Sequence, residues 1–159
     1  MDPVWNKTHM ELQQSMKKEI DALREILNNL HHEELSLLAC DKDTQGLLLQ
    51  ERTLLLSKLD EIRKIRVLSQ EKLYRLSQNT TPETPLENLL PLQESSSCET
   101  LILRDQMVAL MERMQLQTSS NEMLSKISGP RAPMKVQPMP KKKKNSIATL
   151  SPEEYDESA

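Results

Sequence analysis

Apolar residues recur along this chain with the period of an α-helix, in three long stretches separated by polar or proline-bearing breaks. The most leucine-rich stretch is residues 47–76, LLLQERTLLLSKLDEIRKIRVLSQEKLYRL, which has no Gly or Pro. Leu55, Leu59, Ile62, Leu73 and Leu76 stack on one helical face, with Arg66 and Ser69 interrupting the stripe. Leu47, Leu48, Leu49, Leu54, Leu56 and Ile65 widen the apolar surface, mostly at the N-terminal end. So wide a surface needs more than one neighbour. Asp60 with Lys64, and Glu71 with Arg75, stand in the favourable acid-first order one turn apart. At 1.5 Å per residue the helix is about 45 Å long. The sequence therefore predicts that this segment organises the fold and that the flanking segments supply its partners.

Upstream, Thr8 and Glu11 form a capping-box pattern after a short lead-in, residues 1–7, that holds Pro3 and Trp5. Leu12, Met16, Ile20, Leu23, Leu27 and Leu30 then come in a four-and-three alternation, a seam for another helix. Residues 40–46, CDKDTQG, break the pattern, and Asp43 or Thr44 can cap the second helix. So short a loop makes the first two helices an antiparallel hairpin. Pro82, Pro85 and Pro91 mark residues 80–96 as a linker whose Leu86, Leu89, Leu90 and Leu92 dock loosely. Ser96 with Glu99 reads as a second capping box. A third seam comprises Leu103, Met107, Leu110, Met114 and Leu124, weakened by Gln117 and Asn121. Gly129 and Pro130 predict its end. The predicted fold is all-α: helices at about 8–40, 44–79 and 97–128 in a three-helix coiled-coil bundle, with a disordered tail over 129–159.

Composition agrees with helices. Aromatic residues make up 2% of the 159, and there are two Gly. That leaves little for hairpins, sheets or glycine-rich phosphate loops. Residues 129–159 carry six basic and four acidic side chains, so the tail is +2; with a net charge of −3, residues 1–128 carry −5. A mildly acidic bundle is not expected to bind nucleic acid. Cys40 and Cys98 lie far apart without metal-ligand spacing, so two reduced cysteines in a cytoplasmic protein are expected. No apolar run approaches the ~20 residues of a membrane span, and no signal peptide is evident.

Candidate chemistry is sparse. Asp41, Asp43, Gln45 and Gly46 fit early positions of a calcium loop, but Arg52 stands where a bidentate carboxylate is required. A capped polar turn is the expected outcome. His31 and His32 read as solvated, and Glu33 and Glu34 as helix surface. No nucleophile and base can be placed together, so no enzyme, cofactor or metal is expected. Lys141 to Lys144 read as a localisation signal, an anionic-surface contact or a solvating tail. Methionine crowds the third helix. Met107 and Met114 lie on its seam, whereas Val108, Met111, Leu116 and Met123 lie off it. Those four read either as core or as a flexible groove for a partner helix.

The segment EELSLLACDKDTQGLLLQERTLLLSKLDEI resembles the FlgN-like family of bacterial type III export chaperones. The shared pattern is an acidic, leucine-rich helix end (Glu34, Leu37, Leu38), an Asp-containing turn (Asp43), and a charged, leucine-rich second helix (Leu48, Glu51, Arg52, Leu55, Leu56, Leu59). The third-helix end LQTSSNEMLSK is similar too, and the likeness spans about residues 10–128. The family usually has Lys where Arg52 stands, and the proline linker and KKKK tail depart from it. The resemblance implies a small cytoplasmic chaperone without catalysis. It would bind terminal helices of secreted subunits such as hook–filament junction proteins and deliver them to the export apparatus. Its client site would comprise Val108, Met111, Leu116 and Met123, with Tyr155 as an export-gate contact. The rival reading is a structural coiled coil that homodimerises through the same seams.

Overall fold

The computed structural model describes residues 2–77, 84–91 and 94–136. Its elements are α1 (Pro3–Leu38), α2 (Lys42–Leu76), the single turn α3 (Leu86–Leu89) and α4 (Ser95–Val136). The all-α bundle expected from the seams is what forms. Helix α2 runs antiparallel to α1, with Arg52 beside Asn29 and Arg63 beside Glu19. Helix α4 runs parallel to α1, with Thr100 beside His9 and Asn121 beside Leu30.

The helix in the middle is α1, not α2. Both α2 and α4 pack chiefly on α1 and touch each other little. The α1 seam is buried throughout: Leu12, Met16, Ile20, Leu23, Leu27 and Leu30. Its burial extends around the helix to Ala22, Ile26, Asn29 and Ser36 on one side and to His9 and Gln13 on the other. Helix α2 buries only Leu48, Leu59, Ser69, Leu73 and Tyr74. Leu55 and Ile62 pack partly against the core, whereas Leu76 at the helix end is 36% exposed. A helix with a neighbour on one side alone covers one narrow face however many leucines it carries.

Several helix ends differ from expectation. Helix α1 starts at Pro3, not at Thr8. Asp2 accepts a hydrogen bond from the Val4 N–H, and proline at the first position supplies a preset φ. Extending the helix brings Trp5 into the core, where its indole Nε1 donates to Ser77 Oγ at 3.5 Å. Thr8 is buried inside the helix. The turn comes two residues earlier than the expected helix bounds place it: Cys40 takes the left-handed conformation, φ 58°, and Asp41 caps α2 by accepting from Thr44 N at 3.1 Å. Gly46 thus lies inside α2. Helix α4 begins at Ser95, one residue ahead of the expected box, and runs on through Gly129 and Pro130 to Val136. An interior proline forfeits one backbone bond and is costly, but its own φ is helical. The expected stop and the disordered tail therefore do not begin at 129, and residues 137–159 lie outside the described residues.

Of the linker leucines, Leu89 and Leu90 are buried in the core cluster and Leu86 packs against it. Their docking is firm, with Glu87 in an ion pair with Arg104 of α4. Leu92 lies outside the described residues.

Candidate functional site

The expected site divides. Met111 belongs to the core: it is half-buried against the central cluster, and its Sδ accepts from Arg63 Nη2 at 3.4 Å. One turn from the seam suffices, because Arg63 reaches across from α2 and brings it under cover. Val108 is 44% exposed and lies beside Met111 on the flank of α4, about a quarter-turn from the other two candidates. Leu116 and Met123, at 72% and 64% exposure, do share a face. They share it with Ile102 and Ile127, both exposed. Ile102, Ala109, Leu116 and Met123 recur every seven residues, and Ile127 stands one turn later. The stripe lies on the side of α4 opposite the face that buries Leu103 and Met107 against α1. Asp105 and Glu112 border it on one side, Arg113 and Ser120 on the other. Sequence reasoning missed Ile102 and Ile127, although the seven-residue repeat was there to find. Tyr155 lies outside the described residues.

The polar side chains that break the third seam hold the bundle instead of loosening it. Asn121 is buried and donates to the Leu30 carbonyl at 2.8 Å and to Glu33 Oε2 at 2.9 Å. Gln117 donates to Glu34 Oε1 at 2.8 Å and to Asn121 Oδ1 at 2.9 Å. From the other flank, Arg52 donates to Asn29 Oδ1 at 2.8 Å and pairs with Glu33. Asn29 in turn donates to the Leu48 carbonyl at 3.0 Å. One connected network thus joins all three long helices. Glu33 and Glu34 are half-buried members of it, not solvated surface. Such a network specifies register, because any slip strands its members. Arg52, at the position where a calcium loop needs a carboxylate, is committed to Glu33.

Two further polar groups were not anticipated. Glu19 is fully enclosed, with Arg63 Nε at 2.9 Å and Arg66 Nε at 2.6 Å from its two carboxylate oxygens. So Arg66, an interruption of the α2 stripe in the sequence, serves a buried charge. His9, also buried, has Nε2 at 2.6 Å from Thr100 Oγ1 and stacks at a tilt on Trp5, 4.9 Å between centroids. Gln13 donates to the same Thr100 hydroxyl at 2.8 Å and to the Ser96 carbonyl at 2.7 Å. Burial holds the His9 imidazolium below its ordinary range, against the opposing pull of Glu94 and Glu99. His31 and His32 are exposed, as expected.

Among the described residues no three His, Cys, Asp or Glu side chains converge as metal ligands. None of their helices is long and apolar enough to cross a membrane. What the surface offers is long apolar ridges of helical period. No family model, curated protein or solved structure matches this chain.

Proposed function

We propose that this protein is a non-catalytic cytoplasmic chaperone that shields amphipathic terminal helices of type III or flagellar export subunits, of the hook–filament junction kind. The FlgN-like pattern over residues 10–128 supports the reading, and one observation carries it. The α4 ridge of Ile102, Leu116, Met123 and Ile127 stands exposed over about 37 Å of helix. An amphipathic client helix can lay its own apolar face along such a ridge. The rigid α1 scaffold presents the ridge without needing the bundle to open. The client site is then the outer α4 ridge, with Leu116 and Met123 retained from the sequence reading and Ile102 and Ile127 added. Delivery to the export apparatus is assigned to the tail, with Tyr155 as its contact.

The test is titration of the full chain with the terminal helical segment of a type III-exported subunit from the same source. Replacing Leu116 and Met123 by Glu is expected to leave the melting temperature nearly unchanged and to weaken binding more than tenfold, about 1.4 kcal/mol. Unaltered binding by that double variant sinks the assignment of the ridge. Failure of all such subunits to bind the wild-type chain sinks the chaperone reading.

A further inference from the structure

Helix α2 carries a second, mixed apolar and charged seam that stays exposed in the bundle, Lys58 alone reaching across to α1, at Glu25. Leu47, Leu54, Glu61 and Leu68 recur every seven residues, and Glu51, Lys58, Ile65 and Lys72 repeat likewise four residues on. All eight are exposed, Leu54 at 73% and Leu47 at 66%. The seam lies about a quarter-turn from the face that buries Leu59 and Leu73, by the 100° advance per residue. Arg63 reaches towards α4 on the other side, so the seam occupies the edge of α2 away from α4. The two interlaced series have the spacing of the a and d positions of a coiled coil.

We propose that this edge pairs with α2 of a second copy, antiparallel, about a two-fold axis between Asp60 and Leu59. In an antiparallel pair each position of one series meets the other series of the partner. Leu54 then packs on Ile65 of the second copy, and Lys58 meets Glu61 of the second copy, each twice by symmetry. Farther out, Glu51 lies beside Leu68 and Leu47 beside the Lys72 stem of the second copy. Every charge at the centre is opposed by its complement. The alternatives fail on the same residues. A parallel pair sets Lys58 on Lys58 and Glu61 on Glu61. An antiparallel pair slipped one heptad sets Glu51 on Glu61, or, slipped the other way, sets Leu54 on Lys72. Like charges facing across an interface disfavour the first two, and the third leaves no apolar pair, setting Leu54 on Lys72, Lys58 on Leu68 and Glu61 on Ile65. The sequence thus selects a second copy in one orientation and one register. This inference concerns α2 and stands apart from the α4 client ridge.

Sedimentation equilibrium of the full-length chain tests it, with circular dichroism and melting temperature as folding controls. Lys58 and Glu61 are solvent-facing, their present ion pairs to Glu25 and Lys64 being exposed ones, so their reversal is tolerated by the monomer. Lys58→Glu and Glu61→Lys are each expected to weaken self-association roughly tenfold or more. The double reversal restores it, because only the antiparallel register pairs 58 with 61. Leu54→Glu is expected to leave a helical monomer. A wild type that is monomeric at around 1 mM overturns the proposal. So does a dimer that the double reversal does not rescue. A dimer abolished by Leu116→Glu but indifferent to Leu54→Glu moves the contact to α4 and overturns it equally.

Discussion

Helices α1 and α2 are nearly equal in length, 36 and 35 residues, yet one buries seventeen of its residues and the other five. Helix α2 has the denser leucine content, and Leu47, Leu49, Leu54, Leu56, Ile65, Val67 and Leu68 are all exposed on it. Helix α1 has fewer leucines, yet even its polar side chains Gln13, Glu19, Asn29 and Ser36 are buried. Position decides this. A helix flanked on two sides covers more than half its circumference and must satisfy whatever polar groups are caught there. A helix flanked on one side has apolar surface to spare, and that surface becomes available for another chain.

The largest expected effect probes the polar burial that α1's central place imposes. Glu19 is enclosed because α1 is sandwiched, and among the described residues its charge is balanced from α2. Replacing Arg63 and Arg66 together by Ala leaves that carboxylate buried without a cation and is expected to cost about 3–5 kcal/mol. Urea denaturation measures it. A loss below about 1 kcal/mol would show that water reaches Glu19 and that α1 is less enclosed than the packing indicates.

The next probes the two faces of α2 directly. Leu59 is buried, so Leu59→Ala is expected to cost about 2–4 kcal/mol. Leu54→Ala, one and a half turns away, is expected to change monomer stability by less than about 0.5 kcal/mol. Equal losses in dilute solution would erase the distinction between a covered and a bare face.

The smallest effect concerns the α1–α4 contact and is read against pH. Because burial lowers the His9 value in the folded state, the fold binds this proton less readily than the unfolded chain. The contact therefore stabilises fully above the ordinary value of 6.5. Stability is expected to fall as pH drops from there towards the lowered folded value. Melting temperatures measured from neutral into mildly acidic buffer should decline more steeply for the wild type than for His9→Gln. Parallel curves would mean that His9 keeps its proton equally well in both states.

The helices themselves are legible in the sequence. Long stretches without Gly or Pro and a four-and-three apolar alternation dictate helix by local propensity and periodicity, which need no knowledge of neighbours. The α1 seam is legible residue for residue, and Leu59, Leu73, Leu103 and Met107 are buried as their spacing predicts. The start of α1 is not, because two caps compete, and the gain from burying Trp5 favours the earlier one. Of the four residues expected to form a client site, Leu116 and Met123 are exposed as the pattern predicts, and the cover over Met111 is not legible, since it comes from an arginine 48 residues away.

What the sequence determined alone was the number and the apolar faces of the long helices, because those depend on contacts within a few residues, whereas their ends did not follow from it. Which helix lies in the middle was decided only in three dimensions. So were the enclosure of Glu19, the linking of Asn121 to Arg52 through Glu33, and the exposure of two apolar ridges. Each depends on side chains brought from distant segments to one place. A helical pattern states which face can be buried, and only the packing states how much of it is.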